Sequence, residues 1–315
     1  MFSTQFYVCR NIQVQSNVEN VYATVADFRK WPQWSPWICK EPSCKYETFN
    51  EPRQKGHRQK WDGELIGVGE MVLVEEIPNK YLKYDLHFLK PWKSHSQVQF
   101  KFEDQNDKTL VTWTMLGSIP VFLFLMKKMM SALVGGDFER GLLMLKELIE
   151  KGNVPSKTLI KGLVQRDDFY YIGYRHQSSK DKLGSIMEKD YSNLFTLVEK
   201  HQLPQPEFIL AIYHNFDLIS SRCDFSTCFG YKNKPSLNIK EDGIISGYCS
   251  DHEALQINHT GPYKFLGNAW STAMSYLRFK KAKSLKEVPM YEIYANDPRE
   301  VPETEIQTEI FLPIR

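Results

Sequence analysis

The sequence predicts an α+β protein built as two units. Three observations carry this reading. The first half runs strand, helix, several short strands and one long closing helix. The second half repeats a strand–helix–strand–strand order at a near-constant offset. Between the halves, Lys151-Gly152-Asn153-Val154-Pro155-Ser156 ends a helix and opens an extended link, since Gly takes the left-handed cap and Pro cannot continue a helix. A chain of 315 residues has room for both units.

In the first half, a strand is expected from about Phe6 to Gln15. A helix follows, capped by Ser16 or Asn17, with Val18, Val21, Tyr22, Val25 and Phe28 at helical spacing. The run Trp31-Pro32-Gln33-Trp34-Ser35-Pro36-Trp37 ends it, because proline removes a donor and restricts the residue before it. Strand and turn patterns fill Glu47 to Met115, with strand candidates at 71–77, 81–88, 96–102 and 109–115. Gly67 and Gly69 are assigned to a turn between strands, where positive φ suits glycine. A long helix is expected from about Val121 to Lys151, bent at Gly135-Gly136. A curved sheet gripping that helix leaves a hollow between them. The tryptophans near Pro32 and Pro36 either pack the core or line the hollow's mouth.

In the second half, strands are expected at 169–174, 208–213 and 224–231, with a helix from Leu183 to Lys200. The order recurs with strands at 254–259, 291–294 and 305–311 and a helix from Pro262 to about Lys281. Phe208 to Tyr291 and Asp224 to Glu305 are offset by 83 (291−208) and 81 (305−224), as in a duplicated unit. Two such units facing each other leave a groove along a pseudo-twofold axis.

Composition narrows the function. A formal charge of +2 implies no large nucleic-acid footprint. The longest apolar stretch, Ile119 to Met126, is stopped by Lys127 and Lys128. It is too short to span a bilayer and reads as a buried core helix, so no membrane partner is expected. The N-terminus lacks a basic region followed by an apolar run, so no secretory signal is expected. The six cysteines form no C-x-x-C pair, and reduced thiols in a cytoplasmic protein follow. His57, His87 and His95 lie near Asp62 and Glu64 without metal-ligand spacing along the chain, so neither a metal nor another cofactor is expected. There is no G-x-S-x-G and no phosphate-binding glycine loop.

Several motifs carry family resemblances. Val21 to Trp37, Tyr84 to Trp92, Val111 to Thr114, and Asp137 to Leu142 followed by Leu145-Lys146 resemble the polyketide cyclase/dehydrase branch of the START-like (SRPBCC) superfamily. The resemblance covers residues 1–152. It implies a helix-grip fold with an apolar cavity and no particular chemistry, although cyclase or dehydratase activity occurs among such proteins. Trp34, Trp37 and Trp61 are the candidate wall residues.

The second half resembles the GyrI-like domain, also known as the bacterial transcription-activator effector-binding domain, over residues 158–315 (pseudo-repeats 158–235 and 243–315, SHS2-type). His259-Thr260-Gly261-Pro262-Tyr263 with Leu266 and Trp270 carries the match, together with Tyr291 to Tyr294, Asn296-Asp297-Pro298, Val301 to Glu305 and Thr308 to Ile310. In proteins of this kind the acid of the 291–294 strand faces the effector groove, which makes Glu292 the central candidate. Strand alternation gives Tyr294 the same face. Tyr263 would stand at the groove's end, and Tyr171, Phe208 and Tyr213 would supply walls from the first repeat. Trp270 joins them, although helix–sheet packing is the favoured reading for its ring.

These features give the leading expectation, a small-molecule-binding protein with two cavities that take hydrophobic or cationic ligands. It would serve as a sensor, regulator or resistance protein. Regulators with such a second domain usually carry a helix-turn-helix head. Here a START-like domain takes that place, so direct DNA binding is not expected. The alternative is an enzyme hydrolysing reactive electrophiles, with Glu292 as general base and Tyr263 or Tyr294 as proton donor. An interaction protein that neutralises a toxin or masks an enzyme ranks last; a homodimer or a complex with a protein partner is left open.

Overall fold

The computed structural model describes residues 3–235 and 243–315, without the side chains of residues 3 and 120–123. The chain separates into two units, Met1–Val154 and Pro155–Arg315.

The first unit is a seven-stranded antiparallel sheet. Its strands are β1 (Ser3–Val14), β2 (Lys45–Phe49), β3 (Arg58–Gly63), β4 (Gly67–Ile77), β5 (Tyr81–Lys90), β6 (Ser94–Asp104) and β7 (Thr109–Pro120). They are ordered β1-β7-β6-β5-β4-β3-β2, so β1 closes against the last strand while β2 to β7 follow as a meander. Helix α1 (Val18–Val25) starts where the Asn17 side chain accepts the Asn20 N–H at 2.9 Å. It stops at Ala26, earlier than the sequence suggests. Asp27 then accepts the Arg29 N–H and opens a separate 3-10 turn, Phe28–Gln33, which contains Trp31 and Pro32.

Helix α2 (Lys127–Lys151) runs without interruption through Gly135-Gly136 and ends at Gly152 in the left-handed region. Its buried stripe includes Phe138, Leu142 and Leu145. The Phe138 ring stacks on Trp113 of β7 at 4.0 Å between centroids, which seats the helix on the sheet.

Two expectations need correction here. The Ile119–Met126 stretch is not a buried core helix. Strand β7 continues to Pro120 because it pairs with β1 along its whole length. The chain then makes a 3-10 turn, Val121–Met126, and leaves Phe124 58% and Leu125 80% exposed. Gly69 is not a turn residue either. It lies within β4 opposite Trp61 of β3, and a Cβ there would meet the Trp61 ring and the His87 carbonyl. Of the two, only Gly67 has positive φ, at 75°. No helix among the described residues is long and apolar enough to cross a membrane.

The second unit is an eight-stranded antiparallel sheet: β8 (Lys157–Arg166), β9 (Phe169–Ser179), β10 (Phe208–Asp217), β11 (Arg222–Tyr231), β12 (Ile244–Cys249), β13 (His252–Thr260), β14 (Met290–Tyr294) and β15 (Gln307–Pro313). The order is β12-β9-β11-β10-β14-β15-β13-β8. Each half of this series holds three strands of one repeat and the first strand of the other. Strands β8 and β12 were not anticipated, and they are the two exchanged between repeats. Helices α3 (Leu183–Lys200) and α4 (Leu266–Lys280) pack on one face, over Ile172 and Phe229 and over Leu255 and Ile310 respectively. On the opposite face Leu210, Tyr291, Ile293 and Phe311 form a cluster with Leu285 and Val288.

Candidate functional site

The centre of the second sheet is the β10–β14 pair, where the two repeats meet. Register places Ala211 across from Glu292, Ile209 across from Tyr294 and Tyr213 across from Met290. Paired residues share a face, so Glu292, Tyr294 and Tyr213 all look toward the helices. Each helix adds a side chain from its fifth position. Trp270 of α4 donates its indole N–H to Glu292 Oε1. Met187 of α3 lies with its sulfur 3.7 Å from the Tyr294 hydroxyl.

Glu292 is 1% exposed. Besides the Trp270 bond, its Oε2 accepts from the Tyr294 hydroxyl at 3.1 Å, and the Tyr213 hydroxyl also donates to it. Burial raises its pKa above the usual carboxylate value, and the three donors hold that rise back. No lysine, arginine or histidine among the described residues contributes to the shift.

The walls are aromatic. Trp270 meets Tyr213 edge-on at 5.2 Å, while Tyr263 and Tyr191 meet Tyr294 edge-on at 5.5 and 5.9 Å. Burial pushes the Tyr191, Tyr213 and Tyr294 hydroxyls well above 10, and the nearby Glu292 carboxylate adds to this. Tyr263 rises to about 12 for the same two reasons, with a contribution from Asp297. All four are therefore neutral donors at neutral pH. Tyr263, 40% exposed, is the most exposed member of this cluster.

The structure thus brings together Glu292, Tyr294, Tyr213, Tyr263 and Trp270. It separates Tyr171 and Phe208 from them. Those two pack on the opposite face against the Tyr291–Ile293 cluster, flanking Gly230. Alternation explains the correction, since Phe208 and Tyr213 are five residues apart on one strand and must point to opposite sides. Sequence reasoning missed Met187 and Tyr191, which lie one helical turn apart. That i,i+4 pair was a readable signal. His259 is fully buried, with Nε2 3.4 Å from the Pro262 carbonyl, and burial lowers its pKa.

In the first unit, Trp37, Trp61, Tyr46, Phe88 and Trp113 line a hollow between sheet and helix. About 50 Å³ of it is open to the centres of water-sized molecules, enough for a few waters. Trp34 is not in this wall. It is completely buried behind it, 4.6 Å from the Trp31 ring and 5.7 Å from Trp113. Beside the hollow, Asp137 accepts from Trp37 Nε1 at 3.0 Å, Lys40 Nζ at 2.9 Å and Arg140 Nη2 at 2.5 Å. Burial alone would raise the Asp137 pKa, but the Lys40 and Arg140 charges bring it below the usual value.

Residues 6–150 match the family model for polyketide cyclase / dehydrase and lipid transport, and residues 163–315 match that of the GyrI-like small molecule binding domain. The chain joins a START-like domain to a GyrI-like domain. Both are small-molecule-binding folds. No curated protein matches the chain. Similar solved structures include EcmrR in its DNA complex, 17% identical with a TM-score of 0.41, covering 62% of this chain and 69% of that one. SAV2435 bound to tetraphenylphosphonium is 13% identical with a TM-score of 0.39, covering 49% and 92%. A START superfamily protein from Mycobacterium smegmatis is 20% identical with a TM-score of 0.34, covering 47% and 99%.

Proposed function

We propose that the GyrI-like domain captures a hydrophobic organic cation, with Glu292 as its counter-ion. One observation carries this reading: a fully buried carboxyl group is served by three uncharged donors and, among the described residues, by no cation. A negative charge so placed is costly without a partner. A ligand cation entering at Tyr263 would supply that partner and displace water from apolar walls. The tyrosine and tryptophan faces add cation–π attraction of roughly 0.5–2 kcal/mol per well-placed ring. The protein would then act as a sensor or sequestering protein, and a formal charge of +2 gives direct DNA binding little support.

Calorimetry with a lipophilic aromatic cation and a neutral analogue of the same shape tests the proposal. The cation should bind more tightly, and its affinity should rise as pH climbs through the Glu292 pKa. Equal affinity for both compounds at every pH would exclude the counter-ion role.

A second reading is hydrolysis of a reactive electrophile. It is favoured by the contact between Tyr294 and a carboxyl of raised pKa, the pairing that general acid–base chemistry uses. Turnover that survives Glu292→Gln would exclude it. For the START-like domain we propose an apolar ligand admitted only when the hollow widens, since its present interior has room for only a few water-sized molecules.

A further inference from the structure

We propose that Asp85, His87 and His95 form a divalent transition-metal site on the outer face of the START-like sheet. Asp85 and His87 lie on β5 and His95 on β6, and the register of the two strands assembles them. His87 pairs directly with His95, and Asp85 lies two residues from His87 on the same face. The intervening Leu86 and the facing Ser96 are buried, so the three ligand residues point away from the hollow. One donor atom from each lies within 4.8 Å of the others. His95 Nε2 is already 3.4 Å from Asp85 Oδ1. Two ligand atoms held at Zn–N and Zn–O lengths of about 2.0–2.1 Å in a tetrahedron are separated by about 3.4 Å. The His87 and His95 rings lie 4.7 Å apart, tilted by 34°. Closing the two edges that involve His87 requires its ring to swing by about an ångström, which a part-buried ring on a strand can do.

The donor set selects the ion. Two imidazoles and one carboxylate favour zinc, cobalt or nickel over magnesium or calcium, and they leave coordination positions for water. The neighbouring acid is committed elsewhere: Glu70, across β4 from His87, lies 3.7 Å from both Arg58 and Lys60. The site also has a structural consequence. Leu86, Phe88 and Val98, on the inner side of the same two strands, line the hollow. A metal bridging β5 and β6 would tie that wall together, and binding to the folded state alone would raise its stability.

The test uses the full chain without a polyhistidine tag, stripped by chelator and titrated with Zn²⁺ at neutral pH. We expect one equivalent bound at micromolar protein, a melting temperature higher by several degrees, and reversal by EDTA. His87→Ala and His95→Ala should each weaken binding by about tenfold or more, and Asp85→Asn by a similar factor. Metal-free melts would show that the variants fold. Should one variant fail to fold, the remaining two carry the test. Absence of Zn²⁺ binding would overturn the proposal. So would binding that survives in the His87→Ala/His95→Ala double variant, which would point instead to Cys249 and His252, whose Sγ and Nδ1 lie 3.9 Å apart.

Discussion

Replacing Glu292 with Gln should make the free protein more stable and the cation complex weaker. The two effects have opposite signs and one cause. Burial places the folded pKa of Glu292 above its ordinary value of 4.5. The folded state therefore holds the proton more tightly than the unfolded state. The stability linked to that proton is complete below the unfolded pKa and is lost as pH rises through the folded pKa. Above that point each unit of elevation costs about 1.4 kcal/mol. Gln keeps the shape. Its carbonyl can accept from Trp270, and its amide can donate to the Tyr213 or Tyr294 hydroxyl once that group turns to accept. At pH 8 the variant should therefore melt above the parent protein, by about 2–4 °C per kcal/mol for a domain of this size. Below pH 4 the difference should vanish. Removing one side of a desolvated charge pair costs roughly 2–5 kcal/mol of binding, at least about thirtyfold in Kd. Melting curves from pH 3 to 9, with and without a lipophilic cation, read both quantities. A variant that melts below the parent at pH 8, or that binds the cation equally well, would refute the reasoning.

Three further outcomes are expected. Trp270→Phe keeps a ring but removes the N–H bonded to Glu292, so the Glu292 pKa should rise further and the pH at which cation binding is half-maximal should move up with it, as a pH series in calorimetry would show. Tyr171→Phe should leave cation affinity within about twofold, because that ring packs on the other face of the sheet; a tenfold loss would mean that the face assignment fails. Asp137→Ala removes the buried carboxylate that Lys40 and Arg140 share and should cost about 3–5 kcal/mol in denaturant melts. Since the folded pKa of Asp137 is lowered, its contribution is present above the ordinary carboxylate range and is lost as pH falls through the folded value. The acid limb of the stability curve should flatten in the variant.

Much of this fold could be read from periodicity. The helix expected at Leu183 to Lys200 has those bounds in the structure, and four strands of the first sheet lie where alternation put them. Glu292 and Tyr294 stand on one face, as a two-residue step requires. What escaped the sequence was long-range pairing. Strand β8 places its apolar residues in adjacent pairs, Leu159-Ile160 and Leu163-Val164, so no period of two shows in its sequence, and it pairs along one edge only. Gly69 resembled a turn because nothing local shows that Trp61 will cover it. The Asp85–His87–His95 cluster was hidden for the same reason: ligand spacing across strands does not appear in spacing along the chain.

Ala211 stands directly across from Glu292 at the seam of the two repeats. A symmetric pair of chains would bring an acid from each copy to that seam, where like charges would compete for one proton. In this chain the first-repeat counterpart of Glu292, at the 83-residue offset, is Ile209 (292−83), so only one half contributes an acid. The groove therefore has a charged end and an uncharged end. A guest with its own polarity would enter in one orientation, at one per chain.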